Sequence, residues 1–231
     1  MNQPLPALFH TTQWSMVLSA AEDSSAALER LCRTYWRPLY GYARRAGHSE
    51  HDAEDKVQGF FAKLLERQFL KAVKRDAGPF RAFLQIAFKR YLLDDYDRSI
   101  AQKRGGGVRL LALDAQEAEQ FFSRELSTAL TPETAYERAW ALEVFARARA
   151  ALAVECAAAG RSAEHTALES GEAYADIAAR LGTTVSAISS FALRSRRRLQ
   201  ELIRLEILQT VNSHEELEDE VASLLRALES R

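Results

Sequence analysis

Residues 172–203, EAYADIAARLGTTVSAISSFALRSRRRLQELI, restrict the fold more than any other stretch of the chain. Tyr174, Ile177, Ala178 and Leu181 recur at i, i+3, i+4 and i+7, the spacing that gathers side chains on one helical face. Gly182 follows the last of them, where a glycine takes positive φ and ends the helix. Thr184 then stands where its hydroxyl caps a second helix. Along that helix Ile188, Phe191, Ala192, Leu199, Leu202 and Ile203 line the inner face, and Ser189, Ser190, Arg194, Arg197 and Gln200 lie mostly outward. The pattern predicts a helix-turn-helix with a basic second helix. Such a helix enters a major groove while its arginines neutralise phosphates. The alternative is an amphipathic hairpin with a solvated arginine face, because the same geometry occurs outside DNA binding.

The rest of the chain also reads as helix. Ala, Leu, Glu and Arg are abundant, only 10 Gly and 5 Pro occur in 231 residues, and no β-alternating run of useful length appears. The expected class is all-α, and the length suits one large or two small domains. Cys32 and Cys156 fit no metal or redox spacing and sit on apolar faces, which predicts buried thiols in a reducing compartment. The opening MNQPLPALFH lacks the basic and apolar regions of a signal peptide, and no run of about 20 apolar residues occurs. The expectation is a cytoplasmic protein without membrane contact. Net charge is −1, but residues 194–198 (RSRRR) are basic whereas 215–220 (EELEDE) and 50–55 (EHDAED) are acidic. This segregation suggests partners of different sign.

In chain order, Thr11 or Thr12 caps a short helix with Trp14, Val17 and Leu18. A second helix starts near Ser24 or Ser25, carries Leu28, Leu31, Cys32, Tyr35, Leu39 and Tyr42, is kinked by Pro38 and ends at Gly47. Ser49 and Asp52 form a variant capping box for a helix that buries Ala53, Val57, Phe60, Phe61, Leu64 and Leu65. After Asp76-Ala77-Gly78-Pro79 a long helix carries Phe80, Phe83, Leu84, Ala87, Phe88, Tyr91 and Leu92, and stops at Gly105-Gly106-Gly107. The expected division is a first domain at 1–104, a linker with little core at 105–133, a second domain at 134–211 and an acidic helical extension at 212–231. Thr131-Pro132-Glu133 opens a helix through Tyr136, Trp140, Val144, Ala148 and Leu152, and Ser213 opens the last one.

The helix after Pro79 mixes aromatics (Phe88, Tyr91, Tyr96) with cations (Lys89, Arg90, Arg98), a combination that stacks on unpaired bases and tracks phosphates. Tyr96 lies beyond the apolar stripe and is the better base contact. Asp52, Glu54 and Asp55 could meet a basic protein surface, or simply complement the helix dipole. His48-x-x-His51-Asp52 lacks a fourth ligand for a metal. No phosphate loop, nucleophile motif or acid/base pair is present, so neither catalysis nor a cofactor is expected.

Taken together, ALERLCRTYWRPLYGYARRAGHSEHDAED, FFAKLLE, AQKRGGG, YADIAARLG and SRRRLQELIR resemble, in order and spacing, RNA polymerase sigma factors of the extracytoplasmic-function (ECF) type. The resemblance covers nearly the whole chain. It looks like a subgroup that often carries a short acidic tail, here EILQTVNSHEELEDEV. It implies a sigma region 2 domain that binds the β′ clamp helices of core RNA polymerase and melts the −10 promoter element. A flexible linker then leads to a region 4 helix-turn-helix that reads the −35 element and meets the β flap. By resemblance Asp52, Glu54, Asp55 and Gln58 contact core polymerase, and Lys89, Arg90, Tyr96 and Arg98 take the −10 non-template strand. Thr184, Ser186, Ser189, Ser190, Arg194 and Arg197 take the −35 element. An anti-sigma factor or a Ser/Thr kinase is a further partner that the resemblance allows.

The chain also departs from the family. Where relatives commonly carry an aliphatic residue, a Thr, Ser or aliphatic residue, then Gln and Glu, it has Lys56, Val57, Gln58 and Gly59. Loss of the glutamate weakens the implied polymerase contact, and glycine within a helix costs on the order of 1 kcal/mol relative to alanine. Some relatives are switched on by phosphorylation of a threonine in this segment, which Val57 cannot undergo. Ser189 and Leu193 stand where relatives tend to carry Lys and His, which predicts a weaker, less salt-sensitive duplex contact. The connection 161–171 looks short, so a helix there is expected to shrink to a turn. The charge pattern also suggests that 215–220 packs against Arg194–Arg198 and restrains DNA binding. Two other readings compete: a sigma-like DNA-binding regulator with weakened or conditional polymerase binding, and a helical adaptor that binds protein only.

Overall fold

The structure is a computed structural model that describes residues 25–64, 79–101, 114–126, 130–211 and 213–229, with the backbone alone at 25–31 and 95–101. The described residues form nine α-helices and no strand, in keeping with the all-α expectation. They are α1 (Ser25–Arg45), α2 (Glu50–Leu64), α3 (Phe80–Ala101), α4 (Ala115–Glu125), α5 (Pro132–Ala158), α6 (Ser162–Glu169), α7 (Tyr174–Arg180), α8 (Val185–Leu208) and α9 (His214–Glu229). The expected helix around Trp14 and the glycines at 105–107 lie outside the described residues.

Two compact units emerge, Met1–Glu143 with Leu208–Arg231, and Val144–Ile207. The division falls inside α5 and α8 rather than at the triple glycine, and it places the acidic C-terminal helix in the first unit.

In the first unit α1 is the central element. From Thr34 to Ala43 every residue is buried except half-exposed Arg37, so this segment has neighbours on all sides. Pro38 stands within the helix. Aromatic rings fill the space between α1, α2 and α3, with Tyr35 edge-on to Phe80 and Phe60 edge-on to Phe88 at 5.5 and 5.1 Å between centroids.

The segment expected to be a linker contains a docked helix. Asp114 caps α4 by accepting from the Glu117 amide at 2.9 Å. Arg44 forks onto both oxygens of Glu119 at 2.9 and 2.8 Å, and Tyr40 donates to the same carboxylate at 2.5 Å. Arg37 pairs with Glu117, and the Arg44 and Arg45 guanidiniums lie 5.0 Å from the Phe122 ring centroid. Leu126, Ala135 and Ala139 close the apolar side of this contact. A Cβ at Gly41 would stand 2.6 Å from Leu126 Cδ1, so any larger residue there would force the buried Leu126 side chain to shift.

The C-terminal helix is equally integrated. Leu217, Leu224 and Ala227 are buried, and Glu220 takes Arg81 at 2.5 and 2.8 Å through two oxygens. Glu137 is the second partner of Arg81, whose guanidinium also lies 4.5 Å from the Trp140 ring centroid. The expected pairing of 215–220 with Arg194–Arg198 is therefore corrected for Glu220, the one buried carboxylate of that run. A buried arginine needs compensating charge, and Glu220 supplies it.

The second unit has two small cores. Ala148, Leu152 and Cys156 of α5 pack with Phe191 and Leu202 of α8, and Ala167, Ile177, Ala178 and Ile188 join α6, α7 and α8. Residues 162–169 form an eight-residue helix where only a turn was expected. Burying Ala167 against Ile177 and Ile188 gives this short element the apolar contact that its own sequence cannot supply. Both cysteines are free and buried, and burial pushes the Cys32 thiol up to about 12.

Candidate nucleic-acid interface

The helix-turn-helix is built from local signals. α7 ends with Gly182 at φ +62°, and the Thr183 amide donates back to the Ala178 carbonyl at 3.0 Å. The Thr184 hydroxyl accepts from the Ala187 amide at 3.1 Å and caps α8. Ile188, Phe191, Ala192 and Leu202 then bury one side of α8. That rotation leaves Thr184, Ser186, Ser189, Ser190, Arg194 and Arg197 all exposed, on the turn and the outward face that follows it.

The basic run divides by role. Arg198 forks onto Glu155 at 2.8 Å and reaches Glu201 at 2.7 Å, and Arg196 donates to the Tyr174 hydroxyl at 3.2 Å. No described residue pairs with Arg194 or Arg197. Arg194 and Arg197 thus stand open to solvent, whereas Arg198 ties α8 to Glu155 of α5 and Arg196 ties it to Tyr174 of α7. The sequence showed the cluster but not this split, because Glu155 lies 43 residues away.

The acidic start of α2 is narrower than its sequence suggests. Ser49 and Asp52 cap the helix reciprocally, with the Asp52 amide donating to Ser49 Oγ at 3.1 Å and Ser49 Oγ donating to Asp52 Oδ2 at 2.6 Å. The Ser49 hydroxyl holds the exposed Asp52 carboxyl below the usual range. Asp55 is exposed, with His51 Nε2 at 3.7 Å. Glu54 is buried at 9% exposure and accepts from Gln58 Nε2 at 3.0 Å. Of the four residues assigned to a polymerase contact, Asp52 and Asp55 face outward, and Glu54 and Gln58 bond to each other. Val57 is fully buried, so this position is closed to modification for a steric reason as well as a chemical one.

On α3, Lys89 is exposed but donates to Glu133 Oε1 at 2.7 Å, and this bond holds the Glu133 carboxyl below its usual range. Arg90 stands at the rim of a groove of about 210 Å³ between α2 and α3, whose lining includes Phe60, Lys63, Phe83 and Tyr91. The Lys63 ammonium lies 5.7 Å from the Tyr91 ring centroid. Tyr96 and Arg98 belong to the same helix, and their side chains lie outside the described residues. Lys63 was not singled out from sequence; it sits one helix away from the aromatic run, and only packing brings them together.

No family model, curated protein or solved structure matches this chain. Among the described residues no group of three or more His, Cys, Asp or Glu side chains is placed to hold a metal ion. No described helix is long and apolar enough to cross a membrane. The described surface offers charge, hydroxyls and a small aromatic groove.

Proposed function

We propose that the chain is an ECF-type sigma factor, which binds core RNA polymerase and directs it to a restricted set of promoters. The observation that carries the reading is the outward face of α8 with the turn before it, where four hydroxyl residues stand exposed beside Arg194 and Arg197, two cations with no described partner. A duplex offers phosphates to the arginines and base edges to the hydroxyls. The groove between α2 and α3, with Arg90, Lys63 and Tyr91, has the chemistry for an unpaired strand, and Lys89 beside it is available if it exchanges Glu133 for a phosphate. Polymerase supplies the reaction.

The burial of Glu54 favours a second reading, a helix-turn-helix regulator whose polymerase contact has been weakened. Titration of the labelled chain into core RNA polymerase, beside the Asp55→Lys variant, separates the two. The sigma reading expects binding that Asp55→Lys weakens. Salt-dependent duplex binding without polymerase binding would establish the regulator instead. If neither partner binds, the adaptor reading takes their place.

A further inference from the structure

One large apolar side chain stands among the hydroxyls and cations of α8. Leu193 is 51% exposed, although Phe191 and Ala192 beside it are buried. At 3.6 residues per turn, Ser186, Ser189, Ser190, Leu193 and Arg197 fall within an arc of roughly 100°, with Leu193 near its middle. Ser189 and Ser190 lie one turn before it, and Arg197 one turn after it.

We propose that Leu193 is a base-reading residue of this helix, and that it seats on the C5-methyl group of a thymine in the major groove. The inference rests on the DNA-binding reading above. Serine hydroxyls donate and accept, and so suit the edge of any base. Arginines serve phosphates as readily as guanine. Leucine has one complementary surface in the groove, the thymine methyl, and beside cytosine it would cover the N4 amino group without giving it a partner. The cations that press this face against a polyanion, Arg194 and Arg197, have no described partner. A duplex therefore covers Leu193, and the base beneath it decides whether the covering is favourable.

The test begins with a random-sequence duplex pool, presented to the full chain alone and to the chain with core RNA polymerase. Each thymine of the selected duplexes is then replaced by deoxyuridine, which lacks only the methyl group. The expected result is one thymine whose replacement weakens binding about four-fold, the ratio that one buried methyl supplies. Leu193→Ala, an exposed substitution that leaves the cores untouched, should bind both duplexes equally. The assignment is overturned if every replacement changes affinity less than two-fold, or if the sensitive thymine stays sensitive in Leu193→Ala. A pool without any enriched or salt-dependent binding would refute the DNA-binding reading itself, and Leu193 with it.

Discussion

Replacing Gly59 by alanine sets two effects against each other. Within a helix alanine is favoured over glycine by about 1 kcal/mol, so helix propensity alone makes Gly59→Ala stabilising. The structure reverses that sign. A Cβ at residue 59 would stand 2.5 Å from the Tyr91 hydroxyl oxygen but an ordinary 3.6 Å from Tyr91 Cζ, so the overlap is with a single oxygen. Phe60 and Phe88, 5.7 and 6.3 Å away between centroids, and the Lys63 ammonium restrict the ring, so relief requires its hydroxyl end to swing toward the groove that it lines. Overpacking of this kind costs about 1–3 kcal/mol, which leaves Gly59→Ala destabilising by about 1 kcal/mol on balance. In a Tyr91→Phe background the same change should stabilise by about 1 kcal/mol, since the offending atom is gone. Urea unfolding of the natural chain, both single variants and the double variant closes the cycle, with an expected coupling of about 1–3 kcal/mol. A stabilising Gly59→Ala in the natural background would refute the steric argument. The result bears on function too, since a glutamate at 59 carries the same Cβ. Under the sigma-factor reading proposed above, Gly59→Glu is therefore expected to strengthen core-polymerase binding more when Tyr91→Phe accompanies it.

Arg81→Met should cost about 3–5 kcal/mol, because it leaves the Glu220 carboxylate, 4% exposed, buried without its partner. Hydrogen exchange should rise across α9, and Arg81→Met/Glu220→Leu should regain part of the loss; a single variant costing under about 1 kcal/mol would contradict the packing described. Burial works against the Glu119 carboxylate, but the Arg44 and Tyr40 hydrogen bonds outweigh it and hold the group below its usual range. Its contribution is present above the ordinary glutamate range and is lost as pH falls through the depressed value, so Glu119→Gln should flatten the acid limb of a stability–pH profile. Glu137 has the opposite sign, since burial raises it even against Arg81; the stability linked to its protonation is lost as pH rises through the raised value, and Glu137→Gln should remove that slope. If the proposed DNA-binding reading holds, Arg194→Gln and Arg197→Gln should each reduce the salt dependence of duplex binding by about one counterion, whereas Arg196→Gln should change it less.

Helix ends were the most legible part of the sequence. Ser49, Thr131, Thr184 and Ser213 each accept from an amide three residues ahead, and Gly47 and Gly182 take positive φ where the apolar stripes stop. Such signals need only a few neighbouring residues. The outward face of α8 was legible for the same reason, because a 3.6-residue period assigns both faces at once. What escaped was long-range. The docking of α4 depends on arginines 75 to 81 residues earlier, and its few apolar residues left no stripe to read. The acidic run at 50–55 gives no local sign of which member turns inward, and Glu54 is the one that does. Gly59 looked like a cost to α2 alone; Tyr91, on another helix, explains it.

The first unit takes its parts from both sides of the second, and this sets an order of birth. Arg81 and Glu220 are 139 residues apart, an interval that a ribosome covers in roughly 10–30 s. Throughout that time Arg81 is made but its buried partner is not. Residues 144–207, in contrast, are contiguous and have all their core residues in hand before α9 exists. The unit that starts later is thus the first that can finish folding, and the first unit waits, with an unfilled face, until α9 has been made.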